Sequence, residues 1–200
     1  MRCFSCYNLS TKPICKECRQ DLLTLDINKE RVGNLEVISF FDYYLVMDFI
    51  KSKYSSSGYR LYKFFAKEYF NPFIKNFIKN LENREDNIYL VGIDENIKKG
   101  YSAISVLLHN ALKGVDSVKP LYNVLKAQNR VRYAGRSLEY RLNNPRDFIY
   151  SGPKNIDVIL IDDTITTGIT LEEAHRVLKS NGVNVLFALT VAVAKEEMDY

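Results

Sequence analysis

Apolar and polar positions alternate between two periods along this chain. "LEVISFFDYYLVMDFI" (Leu35 to Ile50) is rich in β-branched and aromatic residues. It predicts a strand from about Leu35 to Tyr44 and a helix from about Leu45. A break at Ser55 to Gly58 separates it from "YRLYKFFAKEYFNPFIKNFIKNL", whose apolar residues recur every three to four positions, a helical pattern interrupted at Pro72. "NIYLVGI" predicts a short strand, and "YSAISVLLHNALKG" a helix ending at Gly114. From Ser117 to Arg146 the periodicity weakens. Then "IDVILID" predicts a buried strand, "TLEEAHRVLKSNG" a helix ending at Gly182, and "VNVLFALTVAVA" a final strand. Strands alternating with helices imply a parallel sheet flanked by helices, so the fold class is α/β. Uninterrupted apolar runs such as Val158 to Ile161 suit strands covered on both faces. The aromatic stripe Tyr59, Tyr62, Phe64, Phe65, Tyr69 and Phe70 is read as packing.

Composition changes this picture little. The 200 residues are 46% hydrophobic and 26% charged, with a formal net charge of +4. That suits a globular protein and permits an anionic partner without demanding one. The longest apolar stretch, Val185 to Ala194, is far too short to span a bilayer. The expectation is a cytoplasmic protein without membrane insertion, its thiols reduced.

Candidate chemistry is concentrated at two places. All four cysteines lie near the start, as one CxxC of Cys3 and Cys6 and another of Cys15 and Cys18. Two such pairs can complete a closed tetrahedron, which predicts a structural Zn²⁺ knuckle over residues 1–20 and a separate domain over 21–200.

The second place is "VILIDDTITTGIT" (Val158 to Thr170). In an open parallel sheet, ligands bind beyond the carboxyl ends of strands. Asp162 and Asp163 are expected at such an end, followed by the loop Thr164, Ile165, Thr166, Thr167, Gly168 and Ile169. A helix is expected to open at Thr170, with Glu173 reaching back to it as a capping box. Backbone N–H groups at a helix start, with threonine hydroxyls beside them, make an anion site. Gly168 leaves room for close approach of a phosphate. Carboxylates that accept from vicinal hydroxyls, next to a loop that donates to phosphate, fit a ribose 5-phosphate. No phosphate loop of the GxxxxGK[ST] type and no GxGxxG is present. The two histidines, His109 and His175, lie in no nucleophile motif.

This stretch resembles the phosphoribosyl pyrophosphate (PRPP) signature of type I phosphoribosyltransferases. The resemblance implies a type I phosphoribosyltransferase-like parallel sheet, with Asp162 and Asp163 on the ribose hydroxyls. Thr164 through Thr170 are implied around the 5′-phosphate, and Mg²⁺ is carried with PRPP.

The segment Ser117 to Arg146 carries Lys119, Lys126, Arg130, Arg132, Arg136, Arg141 and Arg146 against one acid, Glu139, with Tyr122, Tyr133 and Tyr140 interleaved. It suits a nucleic-acid grip, a hood supplying cations to pyrophosphate, or a solvated charged face. The cysteine knuckle, the PRPP signature, Gln128 followed by Arg136, "IKSKY" at Ile50 to Tyr54 and "IDENIKKGYSAISVLL" together resemble the ComF family of competence proteins. The chain departs from that family's pattern in having Lys98 and Lys99 where two arginines are usual, Tyr101 for Phe, and Ala103 for an amide. Lysine keeps the charge but loses the bidentate fork. The resemblance implies handling of incoming single-stranded DNA in natural transformation, at the cytoplasmic face of the inner membrane, with helicase and recombination partners. Lys98, Lys99, Gln128, Arg130, Arg132 and Arg136 are then expected to bind pyrophosphate or DNA. A working phosphoribosyltransferase that transfers to a small acceptor is the alternative reading of the same pocket.

Overall fold

The structure is a computed structural model that describes residues 1–55, 57–81, 88–95, 97, 100–131, 133 and 135–194. The calls on Lys98, Lys99 and Arg132 lie outside the described residues. The cysteine-rich segment ends in a short helix, α1 (Lys16–Leu22), opened by Cys15, whose sulfur accepts from the Cys18 N–H. Strand β1 (Asn28–Val32) follows and pairs antiparallel with β2 (Leu35–Asp42) across a two-residue turn. No strand was expected at β1, because N-K-E-R-V carries a single apolar residue. Asp42 accepts from the Tyr44 N–H at 2.8 Å, so α2 (Tyr43–Lys51) starts ahead of Leu45.

A 3₁₀ turn (Ser52–Tyr54) leads to α3 (Gly58–Phe65), a π turn (Ala66–Phe70) and α4 (Asn71–Lys79). Helical backbone therefore continues through Pro72. The π turn shifts the hydrogen-bond register so that proline falls in the first turn of α4, where its missing N–H costs little. Then come β3 (Ile88–Gly92), α5 (Ala103–Ala111), β4 (Val118–Leu121), β5 (Leu125–Ala127), α6 (Leu138–Asn143), β6 (Phe148–Tyr150), β7 (Asp157–Ile165), α7 (Ile169–Ser180) and β8 (Asn184–Val193).

Six strands form one sheet in the order β1-β2-β8-β7-β3-β4, parallel except at β1, while β5 and β6 form a separate antiparallel ribbon. The chain steps outward from β3 to β4, then returns to the other side of β3 as β7. The β3–β7 boundary is thus a switch point of the kind at which open α/β sheets bind ligands.

Alternation along the strands sorts the core onto two faces. Ile159 and Ile161 pack with α2 to α5 and with Cys3, Ile14, Cys15 and Leu23 of the cysteine-rich segment. Val158 and Leu160 pack with Leu171, Ala174 and Leu178 of α7, and with Leu125, Phe148 and Tyr150 of the ribbon. The expected aromatic stripe is packing at Tyr62, Phe64, Phe65, Tyr69 and Phe70, whereas Tyr59 is exposed. Among the described residues no helix is long and apolar enough to cross a membrane.

Candidate ribose-phosphate cleft

Strand β3 stays with β7 only as far as Gly92 opposite Ile161, while β7 runs on beside β8 to Ile165 opposite Val193. Asp162, Asp163, Thr164 and Ile165 are therefore strand residues, not a strand end followed by a loop, because β8 continues to supply hydrogen-bond partners. The sheet opens where β3 leaves, and a cleft of about 710 Å³ lies there, a volume typical of small-ligand sites. Asp162, Asp163, Thr164, Thr166 and Thr170 line it, with Asp94, Glu95, Lys53, Arg130, Arg141 and Arg146.

Period-two alternation sends the two aspartates to opposite faces of the strand. Asp163 is buried. Its Oδ2 pairs with the Lys53 ammonium and lies 3.2 Å from the fully buried Tyr62 hydroxyl. Lys53 belongs to the IKSKY stretch. Burial opposes its charge, yet Asp163 more than compensates and raises its pKa. Burial, then the Asp163 charge, pushes the Tyr62 hydroxyl well above the usual phenol range.

Asp162 keeps partial access to the cleft. One of its oxygens accepts from the Asp163 N–H at 2.8 Å. Desolvation at the cleft floor, reinforced by the Asp163 charge, raises its pKa, and Lys53 and Arg146 offset this only in part. Glu95, whose Oε1 accepts from the Ile104 N–H at 3.2 Å, is also raised, mainly by burial.

Downstream, the chain leaves β7 through Thr166 and Thr167 and turns into α7 at Gly168, with φ +76°. A Cβ there would lie 2.6 Å from both Val32 methyls. The glycine thus serves the left-handed turn and the contact with β1. Gly168 is the helix cap. Thr170 lies inside the first turn, and Glu173 does not reach back. It is buried and accepts from the Arg146 N–H at 3.1 Å. The capping-box reading is therefore corrected: a glycine turn leaves Thr170 no cap role, and Glu173 faces the segment before β6. Ile165 is buried in the α7-side core, so it can offer a ligand only backbone. The Thr164 hydroxyl is buried and has no partner among the described residues.

The basic segment divides. Arg130 lines the cleft 3.4 Å from Asp94 Oδ2. Gln128 and Arg136 are exposed and lie outside the cleft lining, with Arg136 stacked 4.9 Å from the Tyr140 ring. Arg141 and Arg146 are cleft residues that the linear motif did not single out. The Arg141 guanidinium donates to Thr166 Oγ1 at 2.5 Å and to Thr167 Oγ1 at 3.4 Å, which ties α6 to the threonine turn. Arg146 donates to the Asp94 carbonyl at 2.9 Å.

At the cysteine-rich segment the four sulfurs all lie within 4.8 Å of one another, and Cys6 and Cys15 are 3.7 Å apart. A tetrahedron of Zn–S bonds of about 2.3 Å has sulfur edges of about 3.8 Å, so the donor set fits. Backbone N–H groups of Ser5 and Cys15 point at Cys3 Sγ from 3.4 and 3.3 Å. Burial opposes the Cys3 thiolate, but these N–H groups outweigh it and lower its pKa to about 6. The four cysteines could hold a metal ion.

No protein-family profile matches the chain. It is 32% identical over 106 residues to an adenine phosphoribosyltransferase of Polynucleobacter asymbioticus, covering 53% of this chain and 58% of that protein. It is 44% identical over 50 residues to the transcriptional regulator GfcR of Methanosphaera stadtmanae, 25% of each chain. The matches thus span little more than half of the first relative and a quarter of the second. Among solved structures, the adenine phosphoribosyltransferase of Leishmania tarentolae is similar with a TM-score of 0.43 and 11% identity, over 88% of this chain and 87% of that one.

Proposed function

We propose that this protein binds PRPP with Mg²⁺ in the cleft and is a phosphoribosyltransferase-type protein. One observation carries the reading. Where β3 leaves the sheet, a partly accessible carboxylate, Asp162, and the buried Thr164 hydroxyl, which has no partner among the described residues, stand on β7 just ahead of the threonine turn. The 32% likeness to an adenine phosphoribosyltransferase supports it.

In this reading Asp162 accepts from a ribose hydroxyl, while Thr164, Thr166, Thr167, Thr170 and the backbone from Thr164 to Ile169 hold the 5′-phosphate. The N-terminal end of α7 adds its dipole. Mg²⁺ enters on the pyrophosphate. In turnover, an acceptor bonds to C1 of the ribose as the bond from C1 to the pyrophosphate oxygen breaks. Positive charge grows on the ring, and Asp162 stabilises it electrostatically. Asp163, held by Lys53 and Tyr62, shapes the floor beneath. The four cysteines hold a structural Zn²⁺.

Calorimetric titration with PRPP and Mg²⁺ is the test. Binding to the wild type that Asp162→Asn abolishes is expected; a wild type that takes up no PRPP ends the reading.

The ComF resemblance supports a second role, handling of single-stranded DNA in the cytoplasm during uptake, with helicase and recombination partners. Exposed Arg130 and Arg136 and the half-buried Tyr140 beneath Arg136 suit a strand's backbone and bases. Affinity for an oligothymidylate should fall steeply with salt. Arg130→Ala with Arg136→Ala should lower the log–log slope by about 1.4, at about 0.7 per neutralised phosphate on single strands. A flat salt dependence removes this role.

A further inference from the structure

The cations around the cleft are not equivalent. Lys53 is paired with Asp163 and Arg130 with Asp94. The guanidinium groups of Arg141 and Arg146 have no carboxylate oxygen within 4 Å among the described residues, although the Arg146 backbone N–H donates to Glu173. Arg141 faces the Thr166 and Thr167 hydroxyls and the Arg136 carbonyl, while Arg146 faces the Asp94 carbonyl. The two guanidiniums lie over one ring: Tyr133, itself buried, has Arg141 at 5.9 Å and Arg146 at 5.3 Å from its centroid. The Tyr133 hydroxyl donates to the Asn144 carbonyl at 2.7 Å, fixing the ring between α6 and β6. Two polar atoms in this cleft are buried without a partner among the described residues, Thr164 Oγ1 and Arg146 Nε. Two partnerless polar atoms beside two guanidiniums whose direct contacts are hydroxyls, carbonyls and a ring describe a space suited to an anion of more than one charge.

We propose that Arg141 and Arg146, held on Tyr133, form a clamp that selects a terminal phosphate monoester over a phosphodiester. This inference rests on the ribose-phosphate reading of the cleft and adds to it where the discrimination resides. A planar guanidinium spans two phosphate oxygens. Arg141, already on the Thr166 and Thr167 hydroxyls, is placed to share with them a phosphate seated in the threonine turn. A monoester offers three terminal oxygens and nearly two charges, enough for both the turn and a guanidinium. A diester has one oxygen fewer and one charge fewer, and leaves a donor unmet in a desolvated site. The physical consequence is that the chain reads the end of a phosphorylated sugar or strand rather than its interior.

The test titrates the full, metal-loaded protein with ribose 5-phosphate and with its 5′-methyl phosphodiester. For the wild type, the monoester is expected to bind at least tenfold tighter than the diester. Arg141→Ala should lose about 10- to 100-fold for the monoester, as expected for losing a charge-assisted hydrogen bond, and little for the diester, so that the preference collapses. Arg141→Lys, which keeps the charge without the fork, should recover only part of it and serves as the variant if the alanine fails to fold. Equal loss for both ligands, or an unchanged preference in either variant, overturns the clamp while leaving the pocket standing. A wild type that binds neither ligand overturns the ribose-phosphate reading itself, and the clamp with it.

Discussion

At the scale of single residues, the two adjacent aspartates have different work. Asp162 has a raised pKa from burial and from its neighbour, so ionising it opposes folding. The sign follows from linkage: stability favouring the protonated form is complete below the ordinary carboxylate range and is lost as pH rises through about 7. Asp162→Asn should therefore raise the melting temperature at pH 8 by more than at pH 5. The gap should be about 2 kcal/mol, after discounting the shift for the access that the carboxyl keeps. Ligand binding should be lost at the same time. An equal gain at both pH values would show that desolvation is not the cause.

Asp163 is instead buried against a cation. Lys53→Met strands the carboxylate and should cost about 3 kcal/mol in urea unfolding, most of it restored by adding Asp163→Asn. The acids and threonines were legible in the sequence because they lie in one linear motif. Lys53 was legible only as part of the IKSKY stretch and Tyr62 only as packing; their contacts with Asp163 were not, because they span 110 and 101 residues of chain. Arg141 was hidden among seven similar bases, and only the fold separates it from Arg136.

At the scale of elements, legibility followed burial. The strands β2, β3, β7 and β8 could be read because each carries an apolar run, and α5 and α7 because a glycine follows each, although the helices stop at Ala111 and Ser180, short of Gly114 and Gly182. Strand β1 could not be read, since it is an edge strand with charged side chains, and β4 carries a proline that only an edge tolerates. Yet β1 sets the geometry of the threonine turn. Val32 fills the space that a side chain at residue 168 would need. Gly168→Ala meets both the left-handed backbone penalty and a clash with the Val32 side chain, and should destabilise by about 3 kcal/mol while weakening phosphate binding. Adding Val32→Ala relieves the clash alone. The double variant should regain part of the loss, measured as the urea midpoint. If Val32→Ala restores nothing, the contact with β1 is not what the glycine serves.

At the scale of the whole molecule, one hydrophobic cluster draws residues from both sides of the expected division into 1–20 and 21–200. Cys3, Ile14 and Cys15 share this cluster with Phe40, Phe65, Tyr69 and Phe70. Lys12 and Arg19 both pair with Glu68 of the π turn, at 2.9 and 2.7 Å. That turn adjoins α3, which carries Tyr62 to the floor of the cleft. The cysteine-rich segment is therefore packed continuously with the elements that floor the cleft, although no cysteine lines it. Without a metal the four sulfurs lose the ion that would join the two CxxC turns beneath this packing, and binding energy at such a site is folding energy. Stripping the metal with a strong chelator should lower the melting temperature of the entire protein in one transition, not release an independent knuckle. The surviving folded protein should bind ribose 5-phosphate more weakly, with zinc restoring both properties. Two separate transitions in calorimetry, with ligand binding intact after the first, would show instead that the segment folds as its own domain.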